Sequence, residues 1–482
     1  MPTPSEVSLL TRFKTVTFFA CLASLVVGPP AASAASRMYV GFQDDPSFRF
    51  RDDRQTNLDA AEAAHATIIR SQVTWANVVP TRPENPTDPF DPAYARLADV
   101  DEFVRSAERR GMEVLLTIYG TPEWANGGNA PNVAPASMDD LKNFAQALAS
   151  RYSGRFPGFP YVRFFSIWNE PNLAQFLTPQ FGSRGRDVAP AVYARMFKAA
   201  YAGIKSGNPN AAVGIGETSG RGHDRPTPGI QDSHSPIRFA ELVAKADPTL
   251  RFDAWAEHPY PTTPSQPPTA KVRLPNVSLA QISDFEKAIN KAFGRRSTPI
   301  WITEYSHETK PEEPRGVSYA TQASYARTAL ALAKAEPSIR MFIWFVFRDD
   351  PSDPWQSGIV DEDGTRKPAF ATFASAAAAL DARNAIIYVR AGRRRPTIRV
   401  STLELAERDG PGANVGVTYR VFFKRAVIAV KQPVTAIGVD GWITLTLDFR
   451  PLAKHSYPTT VDVGDASGNH VKRTLILVSV RG

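Results

Sequence analysis

Phe164-Phe165-Ser166-Ile167-Trp168-Asn169-Glu170-Pro171-Asn172 is an apolar run that stops abruptly at a carboxylate. It is too short for a helix and suits a buried strand, so Glu170 falls where a strand gives way to a loop. A second run of the same form, Pro299-Ile300-Trp301-Ile302-Thr303-Glu304-Tyr305, lies far downstream. Two carboxylates at the carboxyl ends of parallel strands point to an α/β fold of the (β/α)8 barrel type, in which working residues collect on the face where the strands end.

Outward from these two runs, short apolar segments at 38–42, 66–70, 113–119, 162–169, 212–217, 253–258, 300–304 and 341–345 read as eight strands. Helical patterns fill 92–110, 138–152, 190–206, 235–246, 279–293, 319–335 and 368–381. Eight strands with helices between them favour a closed TIM barrel over an open doubly wound sheet. Beyond Asp381 the pattern changes to alternating runs at 385–390, 415–423, 442–447, 459–463 and 474–480, broken by Asp409-Gly410-Pro411-Gly412 and Asp465-Ala466-Ser467-Gly468-Asn469. That is the pattern of a small all-β sandwich. The expected organisation is a leader at 1–34, a barrel at 35–381 and a β-sandwich at 382–482. The Pro-rich stretch 259–275 follows the sixth strand and reads as the wall of a cleft, with disorder as the alternative.

Arg12 and Lys14, an apolar run over 16–27, a Pro-Pro break and Ala32-Ser33-Ala34 make a secretory signal peptide cleaved after Ala34. The apolar run is too short to span a bilayer comfortably, so the mature chain is expected to be exported and free of the membrane. The one cysteine, Cys21, lies in that leader, which excludes disulfides and thiolate metal ligands from the mature chain; a lipid anchor on Cys21 is the alternative. The formal charge of +8 is that of a basic surface. Its one dense basic run, Arg393-Arg394-Arg395, has no interleaved aromatics, which speaks against nucleic-acid binding and leaves an anionic polysaccharide open as partner.

Cleaving a glycosidic bond takes one carboxyl to protonate the leaving oxygen and a second across the anomeric carbon. With Trp168-Asn169-Glu170-Pro171 on the fourth strand and Glu304 on the seventh, residues 38–380 resemble the large clan of retaining (β/α)8-barrel glycoside hydrolases that includes families 5 and 39. The resemblance implies a secreted hydrolase that acts on an oligo- or polysaccharide by double displacement and needs no cofactor. It implies Glu170 as acid/base, Glu304 as nucleophile and Asn169 on the sugar 2-hydroxyl. Arg70, ending Ile68-Ile69-Arg70, matches the arginine that keeps the nucleophile ionised, unless it makes an ordinary salt bridge. In Ala256-Glu257-His258-Pro259-Tyr260, His258 would bind sugar hydroxyls and Tyr260 the nucleophile, with Glu257 turned away as a structural residue. Trp344 would be the platform beneath the scissile sugar. Trp124 and Trp75 are weaker candidates, each as readily core as platform, and Trp355 lies in the last barrel loop.

Two further clusters carry less. Gly214-Ile215-Gly216 with Gly220 lacks dinucleotide-binding spacing, and His223, Asp224, Asp232 and His234 show no recognised metal-ligand spacing, so no metal is expected. The paired carboxylates separate a hydrolase from its alternative, an exported carbohydrate-binding protein on the same scaffold, which has no need of them. A transglycosylase would share the first half of the reaction.

Overall fold

Eight short apolar strands close into a barrel through parallel ladders: β1 (Tyr39–Gln43), β2 (Ile68–Thr74), β3 (Glu113–Tyr119), β4 (Phe164–Ile167), β5 (Ala212–Ser219), β6 (Ala254–His258), β7 (Ile300–Tyr305) and β8 (Ile339–Phe345). β8 pairs back onto β1, with Phe42 opposite Trp344 and Gln43 opposite Phe345. The expected (β/α)8 fold is therefore the observed one, in a computed structural model that describes residues 38–480 apart from 157–158, 228–230, 381–385, 393–394, 403–404, 406–408, 410–411, 425, 439–441 and 453–454. The expected leader with Cys21, and Arg393 and Arg394 of the basic run, lie outside the described residues. No helix among the described residues is long and apolar enough to cross a membrane.

The two-residue period of the strands sorts side chains between two cores. Ile68, Leu115, Phe164, Ala254, Ala256, Trp301, Met341 and Ile343 pack inside the barrel. Their neighbours, among them Ile69, Leu116, Phe165, Trp255, Ile302, Phe342 and Trp344, face the helical layer and form the larger core. Toward the carboxyl ends polar residues follow the apolar plug, and Gln43, Arg70, Thr117, Ser166, His258 and Thr303 are all buried there. That polar layer is the floor of the site.

The helices follow the expected segments with several differences: 279–293 divides into a 3-10 turn, Leu279–Gln281, and a helix, Ile282–Phe293, and short helices form at Trp75–Val78 and Glu123–Asn126 where none was expected. The segment 92–110 divides into a 3-10 turn, Pro92–Leu97, and a helix, Ala98–Arg109. A helix at Arg54–Ala63 had no clear signal, because it buries only Asn57, Leu58 and Ala61 and so presents too narrow an apolar stripe to read.

C-terminal to the barrel, β10 (Thr397–Ser401) pairs β14 (Trp442–Thr446), and a second sheet runs β12 (Ala426–Lys431), β11 (Asn414–Phe423), β15 (Ser456–Gly464), β16 (His470–Val480), β9 (Ile386–Arg390), with β13 (Val434–Ala436) also on β11. The ladders are antiparallel except β16 with β9. Buried residues of both sheets, including Ile398, Ile443, Val417, Val461 and Leu477, share a separate core, consistent with a β-sandwich. β12 is almost wholly exposed, so it lacks the alternation that makes a strand legible. Arg163, at the amino end of β4, lies 5.8 Å over the Trp442 ring, at the end of the barrel away from the strand-end carboxylates.

The closest helix packing turns on glycine. A Cβ at Gly203, in the helix Ala189–Gly207, would meet the Lys142 carbonyl oxygen at 2.1 Å. Gly203→Ala should lower stability by about 1–3 kcal/mol, although alanine gains about 1 kcal/mol in helix propensity. A higher Tm for the variant would contradict this packing.

Candidate active site

Arg70 lies on the inner face of β2 and is fully buried. An arginine cannot shed its charge, so burying it demands acceptors for its five N–H groups. Nε donates to Thr117 Oγ1 (2.9 Å), Nη1 to Glu304 Oε1 (2.6 Å) and Gln43 Oε1, and Nη2 to Glu217 Oε2 (3.1 Å) and Asn169 Oδ1 (3.2 Å). One guanidinium thus gathers groups from five other strands or their ends.

His258, at the end of β6, is the second hub. Its Nε2 lies 2.8 Å from Glu217 Oε2, and its Nδ1 lies 3.1 Å from Glu170 Oε1 and 3.6 Å from Glu304 Oε2. Carboxylates only accept, so a ring bonded to one through each nitrogen must carry both protons. Burial works against that charge, but Glu304 and the bonds to Glu170 and Glu217 outweigh it and raise the imidazole from its usual 6.5 to about 10. Burial likewise pushes Glu217 up, and the Arg70 charge and the His258 bond overcome it, holding the carboxyl at about 2. Tyr260 donates its hydroxyl to Glu304 Oε2 at 2.9 Å, and burial beside Glu304 pushes that phenol well above its ordinary value.

Glu217 is absent from the residues that the sequence singles out, yet it sits at the centre. The β5–β6 register slips between Gly216 and Thr218, so Glu217 is an extra residue in the strand. The bulge re-aims it inward to Arg70 and His258, while Thr218 turns to the helical side and donates to Glu257. Gly216 makes this possible with φ of 100°, and Glu217 follows at φ of 50°. Thr303 Oγ1 also donates to Glu217 Oε2, at 2.6 Å. The available signal was Glu217's place at a strand end, next to glycines otherwise read only as a nucleotide motif.

The side chains of Glu170 and Glu304 keep 13% and 9% of their surface exposed, against 0% for Glu217. Two carboxylates therefore reach the surface and the third is sealed beneath it. Against this geometry, the profile described as cellulase (glycosyl hydrolase family 5) matches residues 41–346, from β1 to just past β8. The chain belongs to glycosyl hydrolase family 5.

Among solved structures, a family 39 glycoside hydrolase from the gut symbiont Bacteroides cellulosilyticus WH2 matches with a TM-score of 0.51 at 17% identity, over 87% of this chain and 82% of that one. The exo-beta-1,4-mannosidase Op5Man5 from Opitutaceae bacterium strain TAV5 matches at 0.49 and 15% identity, over 75% and 64% of the two chains. The GH39 enzyme from Xanthomonas axonopodis pv. citri matches at 0.47 and 14% identity, over 88% and 93%. At such identities the first similarity speaks for the fold alone. No curated protein matches the chain significantly in sequence.

In this family 5 enzyme several expected residues meet as expected and others do not. Asn169 Oδ1 accepts from Gln72 Nε2 (3.0 Å) as well as Arg70, which fixes the amide and leaves Nδ2 as the group available to a ligand. His258 corrects the expectation that it binds sugar hydroxyls, because both ring nitrogens are committed to carboxylates. Trp344 is not a platform: it is fully buried, faces the helices and donates Nε1 to Ser357 O at 2.9 Å. Alternation places Phe345, not Trp344, on the inner face with Met341 and Ile343, and Phe345 lies 6.1 Å from the Trp355 ring. Trp124 is half-buried against the core, with Nε1 on Val79 O and the Arg82 guanidinium 4.5 Å over its ring, so one of its faces is already occupied. Trp75 is buried and stacked on Phe144. Half-buried Trp355 and buried Tyr260, edge to face at 5.0 Å, line a cleft of about 420 Å³ with 261–265 of the Pro-rich loop. His234 bonds Gln180 and Asp187, and Asp224 accepts from Ser235.

The two shifted groups set a pH dependence. His258, raised above 6.5, contributes stability that is complete below that value and is lost as pH climbs through about 10. Glu217, lowered from 4.5, contributes stability present above 4.5 and lost only as pH falls through about 2. The Tm should therefore decline between about pH 6.5 and 10, with a flatter slope in His258→Asn. An equal slope in the variant would show that His258 is not the charged group.

Proposed function

We propose that this family 5 glycoside hydrolase is an exported enzyme that cleaves O-glycosidic bonds of an oligo- or polysaccharide by double displacement, with retention of anomeric configuration. One observation carries the reading: a single nitrogen, His258 Nδ1, stands 3.1 Å from Glu170 and 3.6 Å from Glu304. At those distances the two oxygens are closer than the middle of the about 6.5–9.5 Å range of inverting pairs, which supports the roughly 5–5.5 Å spacing of retaining pairs. The basic, apolar and small-residue segments before residue 35 support export.

In this mechanism Arg70 and Tyr260 each hold one oxygen of Glu304, fixing its plane. A Glu304 oxygen bonds to the anomeric carbon as the bond to the leaving oxygen breaks, and that oxygen takes the Glu170 proton. Glu170 is then a carboxylate that accepts from His258 Nδ1 at 3.1 Å. Water enters, gives its proton to Glu170 and attacks the same carbon, releasing Glu304. Asn169 Nδ2 donates to the 2-hydroxyl, a bond that strengthens as positive charge grows on the ring.

The two glutamates should fail differently. Glu304→Ala should cut kcat by at least about 10⁴-fold on every substrate, because no other group forms the intermediate. Glu170→Ala should still be glycosylated by an aryl glycoside with a good leaving group, and azide should speed the slowed second step. NMR of the first product should show the substrate's anomeric configuration. An inverted product would overturn double displacement while leaving the barrel and the family intact.

A further inference from the structure

Beyond the carboxylates, one cation near the cleft has no carboxylate of its own. Arg221 follows β5, close enough to Glu170 for their charges to interact. Its Nη1 donates to Thr262 O at 3.0 Å, and among the described residues it makes no ion pair. A guanidinium has five donors in a planar fork, so most of this one remains unused.

Its position is specific. Arg221 and Thr262 line both the 420 Å³ cleft, with Tyr260, Ser306 and Trp355, and a second cleft of about 550 Å³ with Leu173, His223 and Asn276. Arg221 thus stands on the ridge between two hollows, one lined by Tyr260, which bonds Glu304, and the other by Leu173, whose amide donates to the Glu170 carbonyl. The lining of the first cleft also carries Arg315 with Glu308 beside it, and Arg315 pairs with Glu313 at 3.3 Å, so that part of the rim is largely balanced. The Arg221 rim is not.

Resting on the double-displacement reading, in which Glu170 faces the leaving oxygen, we propose that the leaving-group side of this cleft takes a sugar bearing a carboxylate, a uronic acid, and that Arg221 recognises it. The fork of N–H groups suits a carboxylate bidentately, where a neutral hydroxyl would use one donor. Trp355, half-buried beside Tyr260, offers an apolar surface for the same ring. The enzyme's polymer would then be acidic, matching the positive charge of the chain.

The test uses the full chain on polygalacturonate, hyaluronan, alginate and glucuronoxylan, each as the free acid and as its methyl ester, beside neutral glucans and mannans and a neutral aryl glycoside. At least one acidic polymer should be cleaved, and wild type should prefer the acid to its ester by about 10–100-fold in kcat/KM, the scale of a charge-assisted hydrogen bond. Arg221→Gln should erase that preference, mainly through KM. A neutral polymer as best substrate, no cleavage of any acidic polymer, or an acid-to-ester preference unchanged in Arg221→Gln overturns the proposal. Turnover of the aryl glycoside in any of those cases leaves double displacement standing; its absence as well would sink that reading too.

Discussion

A guanidinium sealed inside a barrel is the constraint on which the site depends. Arg70 is fully buried and permanently charged, so its environment must supply compensation that water no longer can. Two carboxylates, two amide oxygens and a hydroxyl do so, from β1, β3, the end of β4, β5 and β7. Each strand must present its acceptor at the correct height, so the cation ties barrel register to the placement of Glu304. Breaking such a buried pair typically costs about 3–5 kcal/mol, because the charges left behind remain out of water.

The charges around that cation divide into two layers. Glu217, with no exposed surface, bonds Arg70, His258 and Thr303 and can reach no substrate. It balances the two cations from behind and keeps the His258 ring doubly protonated. Glu170 and Glu304 stand in front, each reaching the surface through a small part of its side chain. Remove Glu217 and the imidazolium loses its deepest partner, so a residue that never meets the sugar governs the charge state of one that faces both Glu170 and Glu304.

Much of this was legible because strand ends on a parallel barrel converge whatever their separation in sequence. Glu170, Glu304, Arg70, His258 and Tyr260 were each found as a residue at or just past the end of an apolar run, and the structure brings all five together. What stayed hidden depended on parity. Glu217 enters the site through a bulge that breaks alternation, an event that one residue's position cannot announce. The family resemblance implied Trp344, at the end of the eighth strand, as the platform, while alternation along Met341, Ile343 and Phe345 places it on the helical side. His258 was expected to meet sugar, and only the arrival of Glu217 on its far nitrogen shows that it serves the carboxylates instead.

The central claim is that, of three converging glutamates, Glu304 alone is the nucleophile. The direct measurement is mass spectrometry of the intact and then digested protein after exposure to a 2-deoxy-2-fluoro glycoside with a good leaving group. The account predicts a single covalent glycosyl adduct that maps to the peptide containing Glu304. An adduct on Glu170 or Glu217, or product formation with no adduct and an inverted anomeric centre, would contradict it.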